Sequence, residues 1–282
     1  MILSVLPIGL SLLASGAAFS ADLVQVHFIS VGHGDAVFIE ADGAGIALVD
    51  CGGRKTDTTL VRYLRSLGIK SLTHLFITHT HEDHIGGCGA ILNSFELDAV
   101  HLTGMRGDQP DDLQYSAKIR SGSWVVDTTD IGDLPVQFEN LTIEVLSPLK
   151  VEAADQKVDP NANSMVLLIT HGEVKFLLTA DVDSRREEWL IRMYGAKLRS
   201  NVLKAAHHAS DAGNSEEFLK QVQPEVVVVS TGPSEYGYPS ERTLQRLRRF
   251  CPTFLRTDVD GTVVITSDGK NITTSTSQEP NP

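Results

Sequence analysis

The sequence predicts an α/β fold in which two stacked sheets carry helices on their outer faces, a four-layer αββα sandwich. Three observations support this prediction. Strand and helix patterns alternate twice along the chain, polar side chains follow several strands, and a histidine cluster follows the strand predicted at 74–77. Two half-domains of this kind place their strand ends along one edge. The histidine cluster and the polar residues of the second half are therefore expected to meet there.

The composition is that of a globular protein. The 282 residues are 41% hydrophobic and 21% charged, which is enough for one sizeable core. The formal net charge of −12 argues against broad affinity for nucleic acid or anionic membranes, because phosphates are repelled except near a metal ion or local basic groups. Three cysteines are too few for a disulfide framework. One pair could oxidise outside the cytoplasm, the pairing stays open, and simple packing is the preferred role of Cys51 and Cys88.

Residues 1–20 are predicted to be a secretory signal peptide. The segment has no charged side chain, is mostly apolar, and ends in Ala18-Phe19-Ser20, which places small residues at a cleavage site. No Lys or Arg precedes the apolar run, so an uncleaved anchor or a start assigned too far downstream are the alternatives. Interruptions at Pro7, Gly9 and Gly16 favour cleavage. The mature chain is expected to be secreted or periplasmic, without stable membrane association.

The first half alternates between strand and helix patterns. Strands are predicted at 23–29, 36–40 and 46–49, a helix at 59–67, a strand at 74–77, a short helix after Gly87 and a strand at 99–101. In the helix, Leu60, Tyr63 and Leu64 share one face. The more polar stretch 104–133 is predicted to be a loop with one short helix, arching over the site.

The second half repeats the alternation. A hairpin is predicted at 136–138 and 141–146, a polar linker at 152–161, strands at 165–170, 174–179, 202–205, 226–230 and 261–266, and helices at 185–194, 215–222 and 241–250. We therefore expect one domain over 21–268. The segment 269–282, rich in Ser, Thr, Asn and Pro, is expected to be a flexible tail.

The segment after the strand at 74–77 predicts a metal site. It contains His79, His81, Asp83 and His84 within six positions. In an extended segment His79 and His81 point the same way and can bind one ion, while Asp83 and His84 follow a turn and can reach a second. Imidazole and carboxylate together suit Zn²⁺, and with looser preference Mn²⁺ or Fe²⁺. A solvated histidine-rich loop is the alternative, but ligand spacing favours one or two ions.

The H-x-H-x-D-H pattern after a strand resembles that of the metallo-β-lactamase superfamily. The superfamily pattern implies an aspartate that bridges two metal ions and then a histidine, and Asp181 and His207 stand at about these distances. Asp181 could instead cap the following helix. Strand alternation would turn only one of His207 and His208 toward the ions. His207 is favoured as the ligand, and His208 as a supporting group or proton donor.

A longer series of motifs resembles the hydrolase domain of the ComEC/Rec2 competence group over residues 24–266. The series includes Val31-Gly32-His33-Gly34-Asp35-Ala36, Asn163-Ser164, Leu203-Lys204, His207-His208-Ala209-Ser210 and Tyr236-Gly237-Tyr238-Pro239-Ser240. In that group the domain is proposed to be a nuclease that degrades the non-transported DNA strand. This chain departs from the group with His33 where Gln is usual, Ala180 and Ala209 where Gly is usual, and Tyr238 where His is usual.

The resemblance also raises a question about the first metal ion. Its third ligand, usually His in the superfamily, falls near Asn163, and an amide is a poor zinc ligand. His33 is a candidate to replace it. Asp50, at a strand end, is expected to orient the metal loop from behind. Asp35 is expected to cap a loop or face the site, and Ser210 and Tyr238 are expected to support the site.

These observations predict an exported metal-dependent hydrolase. Bound metal lowers the pKa of water and makes hydroxide available for attack on carbonyl or phosphorus, with Asp83 or His208 moving a proton. A phosphodiester, in a small molecule or a nucleic acid, is favoured by the resemblance. Small esters, lactones or β-lactams are the alternative, and a metal-binding module without activity is a third. A di-iron oxidoreductase is disfavoured, because that type has Glu where His81 stands.

Overall fold

A computed structural model describes residues 23–41, 43–103, 119, 121–128, 133, 135–138, 140–148 and 159–277. The predicted signal peptide, most of the predicted loop at 104–133 and most of the linker at 152–161 lie outside these residues. Among the helices of the described ranges, none combines the length and the apolar character that crossing a membrane requires.

The described strands form two sheets. The strands of the first sheet are β1 (Val24–Phe28), β2 (Val37–Ala41), β3 (Ala44–Val49), β4 (Ser71–Ile77), β5 (Glu96–Leu102), β6 (Val125–Thr128), β14 (Val263–Ser267) and β15 (Ile272–Thr276). Those of the second are β7 (Val136–Phe138), β8 (Leu141–Ser147), β9 (Val166–His171), β10 (Val174–Leu178), β11 (Val202–Lys204), β12 (Val226–Val229) and β13 (Thr253–Arg256). The order across the first sheet is β15-β14-β1-β2-β3-β4-β5-β6, and the order across the second is β13-β12-β11-β10-β9-β8-β7.

Helices cover the outer face of each sheet. The first sheet is covered by the core residues of α1 (Asp57–Ser66) and α3 (Cys88–Ser94). The second sheet is covered by the core residues of α4 (Ser184–Tyr194), α5 (Glu216–Val222) and α6 (Glu241–Phe250). Two one-turn helices, α2 (Glu82–Ile85) and α7 (Thr257–Asp260), follow strands at the sheet edge.

Side-chain alternation along the strands divides the core into three layers. On β10, Val174 and Phe176 are buried between the two sheets, whereas Leu177 is buried under the helices of the second sheet. Successive side chains of a strand point to opposite faces, so strands covered on both sides contribute to two layers. The predicted four-layer αββα sandwich is thus confirmed.

Parallel pairing determines where the site can form. Strands β3 to β6 pair in parallel in the first sheet, and β10 to β13 pair in parallel in the second. Parallel neighbours end at the same edge of a sheet, which is where ligand sites form in such sheets. The candidate metal ligands and the carboxylates around them lie in the segments after β3, β4, β10 and β11.

The segment expected to be a flexible tail contains a strand. Residues Ile272–Thr276 pair antiparallel with β14 and extend the first sheet. The expectation is therefore wrong for these residues. Their Ser- and Thr-rich sequence has no hydrophobic periodicity, and what orders them is backbone hydrogen bonding to a strand edge that only the assembled sheet provides. Strands β6 and β13 are likewise not predicted from the sequence.

The cysteines also differ from expectation. Cys51 and Cys88 form a disulfide, and Cys251 is a buried free thiol. Packing alone is therefore the wrong interpretation of Cys51 and Cys88. The fold brings them together because the Cys51 amide donates a hydrogen bond to the carbonyl oxygen of His84 (2.8 Å), which places the turn after β3 against the metal loop. A separation of 37 residues gives no sequence signal for this contact.

We expect the disulfide to stabilise the fold by about 3–4 kcal/mol, the value that loop-closure entropy gives for a loop of about this length. Urea unfolding with and without a reductant measures it, and reduction should lower the midpoint. The variant Cys251→Ser keeps the disulfide and should keep the response to reductant, whereas the double variant Cys51→Ser/Cys88→Ser should lose it. An unchanged midpoint on reduction of the native chain would contradict the expectation.

Candidate metal centre

Strand β4 delivers two histidines whose ring nitrogens converge. Nε2 of His79 and Nδ1 of His81 lie 3.1 Å apart. Two nitrogens bound to the same tetrahedral zinc ion, each at 2.0–2.1 Å, are about 3.3 Å apart. His79 is fully buried, while His81 borders an open cavity. The pair can therefore offer two ligand atoms to one ion at the floor of that cavity.

A second group of ligand atoms lies beside the first. It consists of Asp83, His84, Asp181 and His208, whose candidate ligand atoms all lie within 4.8 Å of one another. Oδ2 of Asp181 is 3.3 Å from Nε2 of His84 and 3.4 Å from Nε2 of His208. The same oxygen lies 4.0 Å from Nε2 of His79, so Asp181 stands between the two groups.

Two buried nitrogens test whether this group fits a metal ion. Within the described part of the chain, Nε2 of His84 and Nε2 of His208 have no hydrogen bond of acceptable geometry, although both lie close to the Asp181 carboxylate. Buried polar atoms are normally satisfied, and such exceptions occur at sites for ions. Imidazole nitrogens and carboxylate oxygens are ligands of Zn²⁺ and of related divalent ions. The residues fit one or two such ions.

The carboxylates control the protonation of these histidines. Burial works against a charged ring at His208, but Asp181 and Asp35 outweigh it and raise the pKa of His208 to about 10. Burial also opposes the charge on His84, and Asp181 leads the contributions that raise its pKa well above the usual value. At His79, burial and the neighbouring His84 hold the pKa well below its usual range. His79 is therefore neutral, while protons and metal ions compete for the other two rings.

Asp50 connects the metal loop to strand β3. Its carboxylate accepts hydrogen bonds from the Thr78 amide (2.8 Å), the Thr78 hydroxyl (2.7 Å) and Nδ1 of His84 (2.7 Å). This contact fixes the tautomer of His84, so Nε2 is the nitrogen turned toward Asp181. The carboxylate therefore orients a ligand ring and does not itself face the cavity.

Lys204, part of the Leu203-Lys204 motif of the ComEC/Rec2 resemblance, is a site residue for which the sequence predicted no role. It ends the buried strand β11, contacts Asp35 through Nζ, lies 3.7 Å from Oδ1 of Asp181, and donates to the carbonyl oxygen of Ala180 (3.0 Å). Burial alone would lower the pKa of Lys204, but Asp35 and Asp181 raise it above its usual value. A fixed ammonium group thus balances the buried carboxylates. A lysine at the end of an otherwise apolar strand is the signal that could have identified it.

The two adjacent histidines do not follow strand alternation. Nε2 of His208 lies within 3.4 Å of Asp83 and Asp181, whereas Nε2 of His207 lies 3.7 Å from Asp181 and its ring lines the cavity. These distances place His208, and not the predicted His207, in the group of candidate ligands. Both residues are in a left-handed turn, with φ of 48° and 51°, where the alternation rule for extended chain does not apply.

Two residues that depart from the ComEC/Rec2 pattern share a left-handed backbone conformation. Ala180 has φ of 45° and Ala209 has φ of 59°, values that favour glycine, the residue usual in the group at both positions. A non-glycine residue in this region costs on the order of 1 kcal/mol. The metal centre therefore lies between two strained turns that the surrounding structure holds in place.

Asn163 does not fill the vacant ligand position. It is fully buried, and its Oδ1 accepts a hydrogen bond from Nη2 of Arg186 (3.2 Å). Asn161, two residues earlier, lines the cavity instead. His33 reaches the second group, with Nε2 at 3.4 Å from Oδ2 of Asp83 and its ring 4.6 Å from that of His208. These contacts place His33 on the side of Asp83, and do not make it a replacement ligand beside His79.

The remaining predicted residues surround the site. Asp35 contacts Lys204, so it supports the site from inside the fold. The Ser210 hydroxyl accepts a hydrogen bond from the Ala212 amide (3.3 Å), so it stabilises the turn and makes no ligand contact here. The Tyr238 ring meets the ring of His207 edge to face, with centroids 5.1 Å apart, and lines the cavity. The cavity has a volume of about 530 Å³.

A buried glutamate supports the histidine turn from behind. Oε2 of Glu187 accepts a hydrogen bond from the Ser215 amide (2.9 Å), and its other oxygen accepts one from the Asn214 amide. The side chain of Asn214 in turn bonds both the amide and the carbonyl oxygen of Ala206, at 2.9 Å each. Glu187 thereby fixes the segment from which the two histidines project.

Comparison with known proteins identifies the class. Residues 29–232 match the sequence profile of the metallo-β-lactamase superfamily. The match spans more than half of the chain, so the chain belongs to this superfamily. The resemblance seen in the H-x-H-x-D-H pattern is thereby confirmed.

The most informative relatives are competence proteins. ComE operon protein 3 of Bacillus subtilis is 29% identical over 257 residues, covering 85% of this chain and 32% of that protein. Competence protein ComA of Neisseria gonorrhoeae is 30% identical, covering 72% and 26%, and Recombination protein 2 of Haemophilus influenzae is 30% identical, covering 85% and 28%. The similarity to the ComEC-type group is confirmed. The chain spans about a third or less of the length of these relatives.

Solved structures show the same fold at low identity. The metallo-β-lactamase fold protein YhfI from Bacillus subtilis aligns with a TM-score of 0.56 at 15% identity, covering 83% of this chain and 95% of that one. CmlA, a diiron β-hydroxylase from Streptomyces venezuelae, aligns with a TM-score of 0.52 at 17% identity, covering 83% and 52%. At these identities the likeness shows the fold alone.

Replacement of Asp50 by Asn should weaken metal binding about 10- to 100-fold, because the amide cannot accept all the hydrogen bonds that orient Thr78 and His84. Titration of Zn²⁺ against a chromophoric chelator measures the dissociation constant. Asp268→Asn, at an exposed turn between β14 and β15, is the matched control. Equal affinity in Asp50→Asn and the native chain would show that Asp50 does not orient a ligand.

Glu187 predicts a pH dependence of stability. Burial raises its pKa from 4.5 to about 7, against hydrogen bonds from Ser215 and Asn214 and the charge of Arg246, which act in the opposite direction. The folded state holds the proton where the unfolded state releases it, so stability falls as pH rises from about 4.5 to about 7. The total is about 3 kcal/mol, at about 1.4 kcal/mol per pH unit.

Urea unfolding at several pH values checks this expectation. The difference in unfolding free energy between the native chain and Glu187→Gln should decrease through that pH window. The contributions of all other titrating groups cancel in this difference, so the change reports on Glu187 alone. Glu188→Gln, on the exposed side of the same helix, is the control and should run parallel to the native chain. A pH-independent difference for Glu187→Gln would contradict the raised pKa.

Proposed function

We propose that this protein is an exported metal-dependent hydrolase that cleaves phosphodiesters. The observation that carries the proposal is the convergence of two groups of ligand atoms on the Asp181 carboxylate, at the floor of a cavity of about 530 Å³. A site that can hold paired divalent ions is suited to hydrolysis at phosphorus.

One divalent ion would be held by His79, His81 and Asp181, and a second would be held by Asp83, His84, His208 and Asp181. Zn²⁺ is the ion that the ligand set favours, with Mn²⁺ and Fe²⁺ as alternatives. When bound, such an ion lowers the pKa of water enough to supply a nucleophile at neutral pH and stabilises developing negative charge.

The chain supplies orientation and proton transfer. Asp50 and Lys204 fix the ligand rings and carboxylates from inside the fold. His207 borders the cavity 3.7 Å from Asp181, and burial leads the contributions that lower its pKa, so it is neutral. Since His208 is turned toward the ligand group, we assign the proton-transfer role to His207, with Asp83 as a second candidate. His33 and Tyr238 also line this cavity, where a substrate would be held.

Export rests on two features. The apolar, uncharged segment at 1–20 has the composition of a signal peptide. The Cys51–Cys88 disulfide is of the kind that persists in oxidising compartments and is rare in the cytosol of mesophiles. We therefore propose a secreted or periplasmic location. The expected partner is the phosphodiester substrate.

The choice of phosphodiesters rests on the relatives. Their names associate them with competence and recombination, which are processes that handle DNA. Small esters, lactones and β-lactams suit the same chemistry, and substrate choice depends on the loops around the site. A metal-binding module without activity is the alternative from a different class.

Hydrolysis assays with metal analysis test the proposal. The purified chain should contain about one to two equivalents of metal and should cleave bis-p-nitrophenyl phosphate, with kcat/KM falling at least about 100-fold in His81→Ala and in Asp181→Ala. His74→Ala, at a histidine paired with His101 away from the centre, is the control and should keep the activity.

Three outcomes would overturn the proposal. Cleavage of nitrocefin alone would indicate β-lactam or ester chemistry. Bound metal without hydrolysis of either compound would support a binding module. A chain that binds no metal would contradict the metal centre itself.

A further inference from the structure

A second cavity adjoins the metal cavity. It has a volume of about 670 Å³ and shares His33 and Tyr238 with the metal cavity. Its other walls include Thr56, Gly232 and the side chain of Arg256. The two shared rings form the partition, so a molecule bound across it can occupy both cavities.

Three aromatic rings lie along this partition. The rings of Tyr236 and Tyr238 have centroids 5.9 Å apart and planes inclined by 27°, and the His33 ring lies 6.0 and 6.1 Å from them. Tyr236 is 74% exposed, more than any other large hydrophobic residue in the described ranges. It also lines the metal cavity. An aromatic ring is thus left open at the mouth of the centre.

The loop that carries these tyrosines is held at both ends. At its start, Gly232 packs against the backbone of Gly32, where a Cβ would lie only 2.4 Å away. At its end, the Ser240 amide donates to the carbonyl oxygen of Ala209 (3.0 Å), and its hydroxyl donates to Oδ1 of Asp211 (2.7 Å). The ends of the loop are therefore fixed relative to the segments that carry His33 and His208, and the two tyrosine rings pack on each other between them. A preorganised ring loses little conformational freedom when a ligand stacks on it.

The charges around the second cavity restrict the ligand. Nε and Nη2 of Arg256 lie 2.9 and 2.6 Å from the oxygens of Asp258, so much of its charge is balanced within the protein. The whole chain carries a net charge of −12. A long phosphate backbone would therefore gain little from this surface. Stacking does not depend on charge, and every base has a face on which to stack.

We propose that Tyr236 and Tyr238 form a stacking platform for an unpaired nucleobase next to the scissile phosphodiester, and that the second cavity receives the adjoining nucleotide. The substrate class is single-stranded nucleic acid, because a base within a duplex has both faces covered by its neighbours. This inference rests on the proposed phosphodiesterase function. In this inference the aromatic rim of the site, formed by His33, Tyr236 and Tyr238, selects the substrate, because the metal ligands suit several kinds of bond.

Two oligomers of equal length and backbone charge test the platform. One is oligothymidylate and the other is an abasic oligomer, and the readout is the ratio of their kcat/KM values. The native chain should prefer the base-bearing oligomer. In Tyr236→Ala that ratio should fall about 5- to 100-fold, the range expected for losing one stacked base. Tyr236→Phe keeps the ring and should keep the ratio, and Met193→Ala, at an exposed apolar residue on α4, is the control.

The outcomes separate this inference from the function on which it rests. Cleavage of bis-p-nitrophenyl phosphate together with a native ratio near one would overturn the platform and leave the phosphodiesterase standing. An equal loss in Tyr236→Ala on both oligomers would also overturn it, because a general distortion of the site does not distinguish bases. Faster cleavage of the annealed duplex than of the single strand would contradict the substrate class. No cleavage of any phosphodiester would overturn both.

Discussion

The rest of the structure depends on the contacts that the Asp181 carboxylate makes with the histidines of the metal loop. Asp181 follows β10 in the second sheet, yet its Oδ2 lies within 4.0 Å of His79 and His84, which follow β4 in the first. Each sheet alone presents an incomplete set of ligands at its edge. Stacking the two sheets brings Asp83 and His84 of the first and Asp181 and His208 of the second together, with their candidate ligand atoms within 4.8 Å of one another. The αββα arrangement is therefore both the packing solution for the core and the device that assembles the site.

Bringing many charged groups together inside a protein requires compensation. Lys204 contacts Asp35 and approaches Asp181, while Asp50 accepts three hydrogen bonds from the metal loop. The left-handed backbone at Ala180 and in the histidine turn adds conformational strain next to these charges. The disulfide behind the loop helps to hold this arrangement. Rigid support of this kind is what a ligand set needs if its geometry is to be independent of bound metal.

The floor and the rim of the site have different roles in the proposed function. The floor, made of metal ligands and the residues that orient them, is suited to hydrolysis of several kinds of bond. The rim, made of His33, Tyr236 and Tyr238, differs from the ComEC/Rec2 pattern at His33 and Tyr238. Substrate choice depends on such loop residues more than on the ligands, because the ligands are common to many activities of the fold. A low-charge aromatic rim also removes the apparent conflict between the acidic chain and a nucleic-acid substrate.

Local sequence patterns predicted most of the helices and strands and most of the candidate ligands. Hydrophobic alternation identified strands such as β10, and the spacing of His79, His81, Asp83 and His84 identified the metal loop, because both signals are local. Tertiary structure decided the rest. Strand alternation favoured His207, but the left-handed turn presents His208 to the ligand group. The Cys51–Cys88 bridge, the strand at Ile272–Thr276 and the role of Lys204 depend on contacts between distant segments. No local pattern encodes such contacts, because only the stacked sheets create them.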